Sequence, residues 1–398
     1  MAQTKRIALF LLLMVVVGLN LRPALSSLAP LLSRITQETG LSPLAIGALT
    51  TLPVLCLGIF APLAPWLARR MGAEKALTLA LGILILGLSM RGFPALPLLY
   101  AGTLLAGAAI GIGGTLLPAL VKRELPGSAD LMTGVYTTAL CLGGALGAGL
   151  SIPLTNLLGS WRLSLASWSL LGMLALALWW WHMPRTPRQL IATSHGSMRQ
   201  LMAQPLAWQV MLLMGTQSSL AYVVFGWLPA LLQVRGYTDA EAGWLMAASV
   251  MVQLVSALGS PWLARFSRDQ RPALLLVLGC IAAGLWLLLQ ADFRWRWLGV
   301  VLLGLGQGGS FSLTLTLIVL RTANSRLAGQ LSGMVQGGGY TLAALGPLAV
   351  GVLLQFDVGL LSVTLMLLTV NAAAVCFALL AGRNRRLDVD TAGHICVR

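Results

Sequence analysis

Pro65-Trp66-Leu67-Ala68-Arg69 returns as Pro261-Trp262-Leu263-Ala264-Arg265, 196 residues further on. Each copy closes a long apolar segment and leads into a basic loop. Five identical residues at corresponding segment ends imply a duplicated chain. Gly47 and Gly243 share the offset of 196, while Gly107/Gly306, Gly134/Gly333, Gly147/Gly346 and Pro30/Pro229 pair at 199. Among 44 glycines such pairs are weak alone, so the pentapeptide carries the duplication.

The segments around the repeat decide the class. Of 398 residues, 58% are hydrophobic and 9% charged, whereas a soluble chain carries roughly 25% charged residues. Apolar stretches long enough for a bilayer, about 20 residues, recur at 7–32, 42–67, 76–92, 97–121, 130–157, 161–183, 206–232, 239–264, 272–291, 297–320, 331–355 and 359–381. They are apolar on every face, unlike the alternating strands of a membrane barrel. Helix signals flank them: Ser42-Pro43 is an N-cap with proline at the first helical position, and Thr238 with Glu241 forms a capping box. The expectation is an all-α integral membrane protein of twelve transmembrane helices in two pseudo-symmetric six-helix bundles, 1–183 and 206–381. A connector (184–205) and a tail (382–398) complete it. Parallel halves place a pseudo-twofold axis along the membrane normal and a site near the midplane between them.

A formal charge of +15 could suggest nucleic acid, but its placement points to a bilayer. Of 26 Lys and Arg, nineteen fall at one set of alternate ends and loops, including Lys5, Arg69, Arg70, Lys122, Arg185, Arg265, Arg321 and Arg385. Six fall at the other ends (Arg34, Arg91, Arg162, Arg235, Arg294 and Arg296), leaving Arg22 alone inside a span. The positive-inside rule makes the first set cytoplasmic, with both termini, in a bacterial-type inner membrane. Lys5-Arg6 and the apolar run after it imitate a signal peptide. The run continues past Arg22 to Leu32, however, and reads as an uncleaved span. Cys56, Cys141, Cys280 and Cys376 lie in apolar segments, and His394 with Cys396 is an isolated tail pair. Neither a disulfide framework, a metal site nor a cofactor is expected.

With these residues in view, the sequence resembles the major facilitator superfamily over nearly its whole length. The signature loop between spans 2 and 3 corresponds to Leu67 through Lys75. Arg69, Arg70 and Gly72 are its gating residues, with Arg265 their counterpart in the second half. Arg69 stands where the family's Asp is expected, a departure in the gating charge relay. Gly18-Leu19-Asn20-Leu21-Arg22-Pro23, and Leu116 through Arg123 leaving span 4, are similar to the cyanate and 2-nitroimidazole transporter-like branch.

Arg22 is the chemical focus. A charge at mid-helix costs about 2.5–3.5 kcal/mol on insertion scales and normally faces a wet cavity or a partner. No carboxylate or histidine lies well inside a span. A guanidinium fork suits a small anion, and Pro23 leaves the Leu19 carbonyl without its helical bond. Asn20 sits about 200° from Arg22 on an ideal helix, so both face one cavity only if the turn is distorted. Gln307, Ser310, Phe311 and Thr314 form one stripe in span 10. Gln336 and Tyr340, Tyr136, Gln217 and Tyr222, and Gln253 offer further polar groups. Helix-to-helix hydrogen bonds, about 0.6 kcal/mol each, are the plain alternative for them. Arg22, Asn20, Tyr136, Gln217, Tyr222, Gln307, Ser310, Gln336 and Tyr340 are the substrate-site candidates.

The expectation is therefore a monomeric secondary or facilitative transporter moving a small polar, anionic solute by alternating access, with no catalytic residues. Coupling is open between uniport, a proton carried with the substrate, and titration of a span-end acid such as Asp130. Rivals are efflux of neutral amphipathic drugs, a non-transporting solute sensor and, weakest, a membrane enzyme.

Overall fold

The computed structural model describes residues 2–124, 129–182, 198–265, 269–323, 325–389 and 395–397. Among them, 12 helical segments are long and apolar enough to cross a membrane: Leu9–Thr39, Pro43–Phe60, Ala73–Met90, Leu96–Leu117, Thr138–Leu158, Trp161–His182, Pro205–Val234, Asp239–Ser260, Arg271–Leu289, Phe293–Leu320, Leu327–Gln355 and Leu360–Ala381. They are spans 1 to 12. Helices satisfy every backbone group internally, which hydrocarbon demands.

Span 1 is not one straight helix. It stops at Asn20, turns through Leu21 and Arg22, and restarts as Pro23–Ser26. It continues past the expected end at 32 to Thr39, where Gly40 takes a left-handed conformation (φ 67°) and closes the helix. The expected cap at Ser42 is present, its side chain accepting from the Ala45 amide. So is the Thr238–Glu241 box, with Glu241 Oε2 accepting from Thr238 N and Thr238 Oγ1 from Glu241 N. Span 2 gives way at Pro62 to a second helix, Leu63–Met71, and span 11 is broken between Ala343 and Leu345.

The chain divides into two compact units. The first comprises Met1–Ile191 together with Phe225–Val250. Spans 3 and 4 interlock through glycines: a Cβ on Gly102 would lie 2.4 Å from the Gly87 carbonyl. The 225–250 segment is held by small contacts, Gly226 against Thr50, Gly149 under the Trp244 ring, and Gly243 against the Ala148 carbonyl. Arg34 adds an ion pair to Asp239 (3.3 Å) and a bond to Asn156 Oδ1 (3.1 Å). Glu38 takes Arg162 and the Trp161 indole N–H.

The second unit comprises Ala192–Val224 and Met251–Arg398. Here Gly299 packs on Leu288 and Gly284 on Leu303, joining spans 9 and 10. Arg321, just after span 10, is buried, and burial pulls its pKa down to about 10. Its donors are spent on the carbonyls of Ala381 (2.9 Å) and Gly382 (2.8 Å) and on Gln270 Oε1. A cation at these last carbonyls of span 12 also complements the helix dipole. The tail forms an antiparallel pair of strands, β1 (Leu387–Val389) and β2 (Ile395–Val397). It docks through Leu387 N to the Arg321 carbonyl (2.8 Å), Ala323 N to the Leu387 carbonyl (2.9 Å), and Gln204 Nε2 to the Ile395 carbonyl (2.6 Å).

Candidate functional site

The break in span 1 sets the position of Arg22. With no N–H on Pro23, the helix ends one turn early, Leu21 N bonding back to the Gly18 carbonyl at 3.1 Å. Arg22 is half-buried and acts as the N-cap position of Pro23–Ser26. Its guanidinium carbon lies 4.9 Å from the centroid of the Phe225 ring, a cation–π arrangement. Gly144 on span 5 makes the room: a Cβ there would lie 3.5 Å from Arg22 Cβ, 3.6 Å from Phe225 and 3.3 Å from Val250. Arg22 forms no ion pair with a described carboxylate. One face of the guanidinium is covered by an aromatic ring, and no described carboxylate offsets its charge.

Asn20 goes elsewhere. It is buried, donates Nδ2 to the Val16 carbonyl (2.7 Å), and has its Oδ1 beside Gly172 of span 6. The structure therefore does not bring Asn20 and Arg22 to a common face. Tyr136 belongs to the helix Ala129–Leu158, and its side chain lies outside the described residues, as does that of Arg265. Gly72 turns the loop after Leu63–Met71 with φ 88°. Arg69 and Arg70 occupy that helix's last turn, Arg70 lying 4.5 Å over the Trp66 ring.

In the second unit the other candidates form two groups. Gln253 Nε2 donates to Gln307 Oε1 (3.0 Å), and Ser310 Oγ reaches Gln217 Oε1 (3.4 Å). Gln217 Nε2 donates to Ser218 Oγ (2.8 Å), and Thr314 Oγ1 returns to the Ser310 carbonyl (2.7 Å). All these side chains are buried. The span 10 stripe thus turns toward spans 7 and 8, and much of its hydrogen-bonding capacity is used internally. The second group is more open. Tyr222 and Tyr340 meet edge to face, centroids 6.0 Å apart, and Gln336, half-buried, donates to Ser332 Oγ (2.7 Å).

Phe225 escapes a reading of the sequence, since a phenylalanine in an apolar segment is ordinary core. A cleft of about 600 Å³ in the first unit, lined by Arg34, Glu38, Asn156, Trp161 and Arg162 among others, has its charges paired as described above.

The family model for the Major Facilitator Superfamily matches residues 9–347. The chain belongs to that family. This facilitator is 34% identical over 376 residues to the 2-nitroimidazole transporter of Escherichia coli K12, covering 93% of this chain and 94% of that relative. It is 32% identical over 351 residues to the cyanate transport protein CynX of the same organism, covering 86% and 89%. Its fold is similar to that of the nucleoside transporter NupG, with a TM-score of 0.77 at 12% identity over 94% of this chain and 100% of that one. The facilitator is thus a multi-pass inner-membrane transporter of small molecules, built from two pseudo-symmetric six-helix bundles, and not an enzyme.

Proposed function

We propose that this facilitator carries a small anionic solute by alternating access, with Arg22 as the fixed counter-charge. The observation that carries the reading is Arg22 itself: half-buried in the break of span 1, braced on Phe225, and unpaired with any described carboxylate. A site of fixed donors in a low-dielectric surround attracts an anion far more strongly than it would in water. The names of two relatives, a cyanate transport protein and a 2-nitroimidazole transporter, are of solutes that offer small electron-rich groups to such a donor fork. The halves 1–183 and 206–381 are the moving parts, the monomer is the working unit, and both termini are cytoplasmic. Arg22 is the one arginine placed inside a span by the sequence, so the charge is supplied by the first half alone. The gating loops are those of Arg69, Arg70 and Gly72 and of Arg265.

The test is uptake of labelled cyanate and 2-nitroimidazole by proteoliposomes. Charge-assisted hydrogen bonds are worth about 1.5–3 kcal/mol, so Arg22→Ala should lower uptake about 10- to 100-fold in protein that still expresses and folds. Arg22→Lys should recover part of it, because an ammonium keeps the charge but loses the planar fork. Near-normal flux through a folded Arg22→Ala protein would refute the assignment.

A further inference from the structure

Arg91, at the end of span 3, is 0% exposed. Its Nη1 donates to the Ala24 carbonyl at 2.8 Å, inside the short helix that follows the break in span 1. Its Nε and Nη2 have no hydrogen-bond partner, and it forms no ion pair with a described residue. Backbone closes around it. A Cβ on Gly102 of span 4 would lie 3.3 Å from Arg91 Cγ, and one on the next residue, Gly92, would lie 2.9 Å from Ala166 of span 6. No part of the side chain reaches the molecular surface.

The comparison with Arg321 shows what is missing. Both arginines are buried, yet Arg321 spends its donors on two carbonyls and a glutamine oxygen. Arg91 has one acceptor. The two donors left over, Nε–H and Nη2–H, are the side-on edge of the guanidinium, where two N–H bonds point the same way and fit one acceptor bidentately. An uncompensated buried guanidinium is costly, and a water on the Nε–Nη2 edge would satisfy geometry but not charge.

We propose that the Nε–Nη2 edge of Arg91 holds a small monovalent anion of halide size, which neutralises the guanidinium and braces the restart of span 1 from within the first bundle. This site is separate from Arg22 and does not depend on what Arg22 binds. Bromide replaces the anion in the experiment. Crystals of the full-length protein grown in bromide should show an anomalous peak within hydrogen-bonding distance of Arg91 Nε and Nη2. In detergent, the melting temperature should rise saturably with bromide or chloride and not with gluconate at constant ionic strength. Arg22→Gln should keep that halide dependence, and Arg91→Gln, if it folds, should lose it. An ordered water without anomalous signal at the edge would overturn the proposal. So would melting that ignores halide, or halide dependence that disappears with Arg22→Gln. The first two readouts use the unaltered protein, so a misfolded Arg91 variant leaves the question decidable.

Discussion

At the scale of single residues, the contact that defines the candidate site is between Arg22 and Phe225. A guanidinium over an aromatic ring contributes about 0.5–2 kcal/mol, more when water is excluded, and Gly144 leaves space for both side chains. A double-mutant cycle with Arg22→Met and Phe225→Leu should therefore show a coupling of about 0.5–2 kcal/mol in unfolding free energy. Additive effects would mean that the ring does not hold the guanidinium. Arg22 was legible in the sequence because a charge in an apolar segment has no ordinary explanation. Phe225 was not, because apolar residues in a membrane helix carry no sign of which ones face a cation. Asn20 shows the opposite difficulty. Its distance from Arg22 in sequence is two residues, but the turn at Leu21–Arg22 sends Asn20 toward Gly172 and Arg22 toward Phe225.

Between elements, the break in span 1 and the glycines of span 5 form one device. Pro23 removes the amide that would bond the Leu19 carbonyl, and Gly143 approaches that carbonyl so closely that a Cβ would lie 2.3 Å from it. The obstacle is backbone on both sides, so neither can yield as a side-chain tip would. Gly143→Ala should destabilise the protein by about 1–3 kcal/mol or more, the range for overpacking, and reduce uptake with it. Gly82→Ala on span 3 is the control. A Cβ there meets nothing within 4 Å, and alanine favours helix over glycine by about 0.8–1.0 kcal/mol. Equal melting temperatures for the two variants would contradict the packing. The spans were readable from length and apolarity. The tail strands were not readable. They are three residues each, and their pairing is fixed by docking on the Arg321 carbonyl and Ala323 amide, contacts more than 60 residues away in sequence that no local pattern encodes.

Over the whole molecule, the duplication seen in the pentapeptide reappears as packing. In the first unit a Cβ on Gly147 would strike Ser26 Oγ at 2.3 Å, and in the second a Cβ on Gly346 would strike Ser219 Oγ at 2.2 Å. Gly107 and Gly306, also paired by offset, do not correspond: the first abuts Pro53 of span 2, the second Ile281 of span 9. The charge is the feature that was never doubled, and this has a consequence for energetics. Every described acidic residue, and His182, lies in the first or last turn of a span or outside it. Under the proposed function the loaded carrier joins Arg22 to an anion and is neutral across the membrane, whereas the empty carrier keeps one positive charge. A full cycle then moves one negative charge with each solute. A potential of 100 mV acts on one elementary charge with about 2.3 kcal/mol, roughly fifty-fold in the equilibrium ratio. In proteoliposomes, a potassium diffusion potential, inside positive, should drive cyanate accumulation, and reversing its sign should suppress it. A proton gradient at zero potential should have no such effect beyond that in protein-free vesicles. If instead the proton gradient drives uptake and the potential does not, the solute travels with a proton, and a span-end acid such as Asp130 becomes the group to substitute.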